Sequence, residues 1–277
     1  MHISIKKHLQ KDKKAQVGLA IVSALVLLAL ITPFFTRDPD AFSSLIFTQP
    51  GQANLLGTND LGQDIFSRLI YGLRTSIFVS VGVGILATFI SIIAGVFSGF
   101  IGGMFDIVVM RIVDVFLVMP SIIILILISA FIRPTMLWLI IIISLLSWQR
   151  GARVIRGQTL ALKQRAHIYS ARAFGAKRVY MLVRHIIPDL GNIIIVSFIN
   201  NVRSAVFLEA GVAFIGISSL TTISLGTIMH NAFKFYYLPV WIWWLLPAGI
   251  LLSAILISLT FLGNLMEKII DPRLNNA

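Results

Sequence analysis

TSIFVSVGVGILATFISIIAGVFSGFIGGMF, residues 75–105, runs for 31 residues without a charged side chain. Wound as an α-helix at about 1.5 Å per residue, such a run crosses the ~30 Å hydrocarbon layer of a bilayer with length left over for tilt. It reads as a membrane span, and the rest of the chain agrees. Of 277 residues, 57% are hydrophobic and only 12% charged, about half the charged share of a soluble domain. A chain this apolar cannot hide its surface in one water-soluble core, which argues against a cytosolic enzyme. The lack of cysteine excludes a disulfide framework, a thiolate metal site and a cysteine nucleophile. A net charge of +12 would suit nucleic acid in a polar protein. In one this apolar it belongs on the cytoplasmic side of a membrane, facing lipid headgroups, with no nucleic acid implied.

Five further runs complete the reading. Residues 17–36 follow a lysine-rich head (Lys6, Lys7, Lys11, Lys13, Lys14) and are longer than the ~7–15 apolar residues of a cleaved signal peptide. They are expected to form an uncleaved first span. The others are 115–132, 135–149 with the helix continuing to Arg150, 191–217, and 241–266, which opens on an interfacial cluster of Trp241, Trp243 and Trp244. The expected organisation is an all-α integral membrane protein with six transmembrane helices. A basic terminus (1–16) precedes the first helix (17–36) and an extracytoplasmic segment (37–74). A five-span core (75–266) then contains a cytoplasmic loop (150–190), and a tail (267–277) ends the chain. With both termini in the cytoplasm, sixteen lysines and arginines lie inside and five outside (Arg37, Arg68, Arg74, Arg133, Lys234), as the positive-inside rule requires.

Ser91, Gly95, Gly99 and Gly103 recur every fourth residue in the second span. In lipid, where packing drives helix association, such a stripe lets two backbones approach closely. It predicts either packing within the bundle, the favoured reading, or a subunit interface. Among ionisable residues in the spans, Arg111 and Asp114 are spaced to pair with each other. Arg203 and Glu209 fall on different faces of the fifth span and should face the bundle interior or a water-filled path. A structural partner on another helix remains open for both.

The segment 149–190 carries nine basic residues against a lone Asp189 and keeps helical periodicity, with Ile168, Ala171, Phe174 and Gly175 on one face. It is either adsorbed on anionic lipid or a helix that docks on another protein. Tyr169-Ser170-Ala171-Arg172-Ala173-Phe174-Gly175, with Pro188 thirteen positions on, resembles the EAA loop of ABC importer permeases. The version it is similar to is that of the dipeptide, oligopeptide and nickel permeases. Where that pattern has glutamate six residues before the glycine, this chain has Tyr169. Three other stretches resemble the same permeases. Residues 56–72 (LGTNDLGQDIFSRLIYG) are similar to LGTDxLGRDxxSR with Asn59 and Gln63 substituted. Residues 209–216 (EAGVAFIG) are similar to ExxLSFLG, and Asp271-Pro272-Arg273-Leu274 to a terminal DPRL. Where those permeases follow with a proline-rich turn and Trp-Gly, this chain has Ser224-Leu225-Gly226.

The resemblance implies a MetI-like permease bundle in the inner or plasma membrane of a prokaryote. Its cytoplasmic coupling helix (Tyr169, Ser170, Ala171, Ala173, Phe174, Gly175 and Pro188) would seat in a separate ATPase. It also implies a homologous second permease subunit, two ATP-binding subunits and an extracellular solute-binding protein, with peptides or nickel chelates as solute. Independently, residues 56–72 read as a surface helix entering the membrane, with Thr58 as its cap and an Asp64–Arg68 ion pair.

No glycine is followed by lysine, so the phosphate-binding loop of an ATPase is missing. No G-x-S-x-G elbow occurs, and the five histidines show no metal-ligand spacing. Neither a cofactor, a resident metal nor a catalytic residue is expected. The rival is an ion-coupled secondary transporter or channel, which would favour broken helices and paired intramembrane carboxylates.

Overall fold

The computed structural model of the protein describes Leu9 and residues 12–31, 36–132, 135–217 and 222–270. Among these every named element is helical. Helix α1 (Lys13–Ile31) precedes α2 (Ile65–Ile101), the longest of the first half at 37 residues. After it come α3 (Gly103–Val118), α4 (Ser121–Phe131), α5 (Met136–Leu145) and α6 (Trp148–Lys163). The basic segment holds α7 (Ala166–Ala173), α8 (Arg178–Met181), a π-helical turn (Leu182–Ile186) and α9 (Ile187–Asp189). The chain then forms α10 (Gly191–Ile215), a short α11 (Leu225–Phe233) and α12 (Trp241–Ile270). Four of these, α1, α2, α10 and α12, are long and apolar enough to cross a membrane. Two bent pairs, α3 with α4 and α5 with α6, raise the count to six if each is one span.

The third and fourth spans are therefore broken, where the sequence predicts single helices. Between α3 and α4 the axes meet at 81°. The cause is Pro120, which lacks an N–H and pushes the preceding residue out of the helical region; Met119 has ψ 126°. Between α5 and α6 the bend is 43°, and the helix resumes at Trp148 and runs to Lys163, well beyond Arg150. Backbone freed by a break at membrane depth must be satisfied by protein or water. Here the Leu146 carbonyl accepts from Ser121 Oγ (3.2 Å) and Gln149 Nε2 (2.8 Å), and Trp148 O accepts from Ser91 Oγ (2.6 Å).

Helix α2 is the axis of the bundle, and three buried clusters succeed one another along it. Ile65, Leu69 and Leu73 pack with Leu225 and Trp244. Val79, Val83 and Ala87 meet Ile143, Ala152 and Val212. Val96 and Phe100 meet Ile155, Leu162, Ile168 and Ile186. The segment 36–64 thus lies at one end of the bundle and the basic segment at the other. Gly95 and Gly99 face α6 so closely that a Cβ would sit 2.6 Å from Ala152 O and 2.9 Å from Arg156 O. Ser91 bonds the same helix. Gly103 is elsewhere, the first residue of α3, with open space around it and φ +62°.

Ion pairs brace the basic end. Arg156 reaches Asp106 of α3 through Nε (2.5 Å) and Nη2 (2.6 Å), and Ser98 Oγ donates to the same carboxylate. Asp114 pairs with Arg153 of α6 and not with Arg111, because bringing α6 against α3 puts a cation opposite it that the local spacing cannot reveal. Lys163 Nζ donates to Phe100 O at 2.7 Å, satisfying one of the open carbonyls at the end of α2. Lys268 donates to Asp12 at 2.8 Å, tying the last helix to the start of α1, and this bond holds the Asp12 carboxyl below its usual range.

At the other end the cap of α2 is Asp64, which accepts from Ser67 N (2.8 Å) and Oγ (2.6 Å). Thr58 does not cap, since its hydroxyl is engaged by Leu45 O and Thr48. Arg68 pairs with Asp40 (3.0 Å), not Asp64, because a capping carboxylate is already turned toward the helix amides. Asn59 and Gln63, the two substitutions in this stretch, are buried partners: Asn59 Nδ2 donates to Gln63 Oε1 at 2.8 Å.

Candidate functional site

Both helix breaks open onto one cavity of about 1120 Å³, walled by the Met119–Pro120 and Leu146–Ser147 corners, by α10, and by the end of α12. Its α10 wall presents Asn200, Arg203, Ser204 and Phe207, a stripe spaced i, i+3, i+4, i+7. Arg203 is the midpoint of α10, about 18 Å from either end. A charge at that depth costs several kcal/mol unless it meets water, a partner or a ligand. Among the described residues Arg203 has neither a carboxylate nor a hydrogen-bond acceptor, and it lines the cavity. Gln149 also borders it, its Nε2 held by Leu146 O and its Oε1 buried within the protein without a partner among the described residues. The breaks are what bring Ser121 and Gln149 into this wall. Pro120 is the signal in the sequence for the first; the second has no proline at the bend and is satisfied by Gln149 together with Ser121 and Ser91 from elsewhere in the fold.

Glu209 parts company with Arg203. It is 4% exposed and lies outside the cavity lining. Its Oε2 accepts from Ser76 Oγ at 3.1 Å. Ser76 Oγ in turn accepts from Leu225 N at 3.3 Å. Glu209 is thus the joint between α2, α10 and the capped start of α11, where Ser224 and Thr227 form a reciprocal cap. Replacing it with alanine leaves the buried Ser76 hydroxyl short of its acceptor, a loss of about 1–3 kcal/mol. The expected result is a lower thermal midpoint for the purified protein with Glu209→Ala and near-normal stability with Glu209→Gln, which keeps an acceptor oxygen. Equal loss in both variants would mean that the charge, not the acceptor, holds the joint.

At the basic end, α7 has two unlike sides. Ile168 is 3% exposed and packs with Phe100, Ile155 and Leu162, whereas Phe174 is 92% exposed. The single apolar face expected for Ile168 through Gly175 is therefore split, because the helix stops at Ala173. The stop is built by Gly175 at φ +79°, a conformation suited to glycine. Ala176 N reaches back to Ala171 O and Phe174 N to Ser170 O, both at 3.0 Å. Ser170 and Ala173 are exposed beside Phe174, and Ala171 is half-buried. Tyr169 belongs to the helix, but its side chain lies outside the described set. Pro188 sits in α9, next to Asp189, whose carboxylate lies 3.6 Å from His167 and 3.9 Å from Arg165. The Asp271–Leu274 motif lies outside the described residues. No group of three or more metal-ligating side chains occurs among the described residues.

Residues 91–276 match the family described as "Binding-protein-dependent transport system inner membrane component". The chain is similar to the oligopeptide transport system permease protein OppC of Bacillus subtilis strain 168, with 32% identity covering 96% of this chain and 87% of that one. It is also similar to the dipeptide transport system permease protein DppC of the same strain (29%, covering 97% and 84%). OppC of Mycobacterium tuberculosis strain H37Rv is 31% identical, covering 93% and 88%. A polytopic helical bundle with this family match and these relatives belongs to the binding-protein-dependent transport system inner membrane components, the permease subunits of ABC importers, and is not itself an enzyme.

Proposed function

We propose that the chain forms one half of the path through which an ATP-driven importer moves peptides. In this reading both termini face the cytoplasm. A homologous permease covers the cavity, two ATP-binding subunits dock on the basic end, and an extracellular binding protein delivers solute to the end formed by residues 36–64 and 222–240. The observation that carries it is the two-sided α7. Phe174 is exposed for a partner, while Ile168 is packed against α6, the helix that also walls the cavity through Gln149. A displacement of α7 is thereby handed to α6. Because α6 is bonded to α2 and α3 through Ser91, Asp106 and Asp114, the motion is absorbed at the two helix breaks, which border the cavity. The peptide assignment is supported by the oligopeptide and dipeptide names of the relatives.

Reconstitution of the chain with its partner subunits and binding protein in proteoliposomes tests this. Uptake of short peptides that requires ATP and is indifferent to ionophore is the expected result. Uptake by the chain alone that ignores ATP and collapses with ionophore would establish the ion-coupled alternative. Since the chain has no cysteine, single cysteines introduced near Lys13 and after Ile270 report terminal orientation directly. Both should label only from the cytoplasmic side.

A further inference from the structure

The cavity contains a site whose chemistry is incomplete without a ligand. Its charged lining residues are Arg150, Arg203 and Glu267, a net positive set. Of these, Arg203 is the one at the middle of a span, and it has no partner among the described residues. A guanidinium presents a planar fork of donors that matches a carboxylate two-to-two, and such charge-assisted pairs strengthen where water is scarce. Asn200 and Ser204 flank it on the same stripe of α10 and line the same cavity. A free carboxylate would pair with the Arg203 fork, with Asn200 and Ser204 beside it to complete its hydrogen bonds. A neutral or cationic solute would leave Arg203 unpaired.

We infer that Arg203 binds the C-terminal carboxylate of the peptide in transit, making it a specificity-determining residue of the path. This rests on the peptide reading above and adds which end of the peptide is read and by which side chain. An alternative occupant is an acidic side chain of the second permease, in which case Arg203 joins the two subunits and never meets solute.

The test uses the complete complex, with binding protein, in proteoliposomes. Two peptides of identical sequence are compared at concentrations that saturate the binding protein, one with a free C-terminal carboxylate and one C-terminally amidated. Arg203→Gln should lower ATP-dependent uptake of the free acid by about tenfold while changing that of the amide by less than about twofold. Arg203→Lys should fall between, keeping charge but losing the fork. An unchanged ratio of acid to amide uptake in Arg203→Gln overturns the inference and leaves the peptide reading intact. Equal loss of both peptides, with the second permease lost on purification, overturns it in favour of the subunit joint. If the wild-type complex carries neither peptide, the peptide reading falls and this inference with it.

Discussion

Phe174→Asp is expected to abolish ATP-driven uptake and release the ATPase on purification, with membrane insertion and the fold of the chain unaffected. The side chain stands 92% exposed at the tip of the basic end, so its removal leaves no internal cavity and costs little folding energy. An exposed aromatic of this kind becomes favourable only when a partner buries it, and aromatic anchors in interface centres contribute about 2 kcal/mol or more to association. Aspartate forfeits that contribution and adds the cost of burying an unpaired charge. Association then weakens by more than about thirtyfold. Phe174→Leu serves as the companion variant, because it keeps apolar surface and should retain a substantial part of both docking and transport. Gly175→Val should act through a different route. Nothing lies within 4 Å of a Cβ there, but φ is +79°, so valine strains the helix stop and misdirects Phe174 without any clash. Co-purification of the ATP-binding subunits, together with uptake, reads out all three. Wild-type association by Phe174→Asp would remove α7 as the docking element.

Which features were legible in the sequence follows from whether their causes are local. Long apolar runs marked the membrane-crossing elements, even where Arg203 and Glu209 interrupt one of them, since the bilayer demands apolar length whatever the tertiary context. The Gly175 stop has a local cause too, because a left-handed residue at a helix end is a property of the chain itself. Features depending on a distant partner were not legible. Asp114 reads as the neighbour of Arg111 by spacing, yet Arg153, 39 residues on, takes it. Thr58 reads as a cap, but the loop that crosses it uses the hydroxyl first. The break at Leu146–Ser147 has no proline or glycine, and it exists because Ser121, Gln149 and Ser91 supply the missing hydrogen bonds. Arg203 and Glu209 illustrate the same division inside one helix. Sequence makes both costly charges in a span; only packing tells that Glu209 is met by the Ser76 hydroxyl and Arg203 is left facing the cavity.

Gly95→Leu should prevent recovery of a monodisperse protein, the largest stability effect expected of any single change here. A Cβ on Gly95 would lie 2.6 Å from Ala152 O and 2.9 Å from the Ile155 Cβ. The first of these is backbone in the middle of α6 and cannot swing away as a side-chain tip would. Accommodating leucine requires α2 and α6 to separate. That separation breaks the Ser91–Trp148 bond and lengthens the reach of Arg156 to Asp106, so the penalty exceeds the ~1–3 kcal/mol typical of an overpacked site. Gly157→Ala is the control, on the facing helix α6. It has open space within 4 Å of its Cβ and no positive φ, so alanine should stabilise by about 0.5–1 kcal/mol through helix propensity alone. Thermal unfolding of the detergent-solubilised protein, measured on the isolated chain and on the assembled complex, separates the two roles open to a small-residue stripe. Loss in the isolated chain is expected, because α6 supplies the close contact from within. A Gly95→Leu chain that is stable alone and fails only when the second permease is added would instead put the stripe between subunits, and α6 would have to move off α2 to allow it.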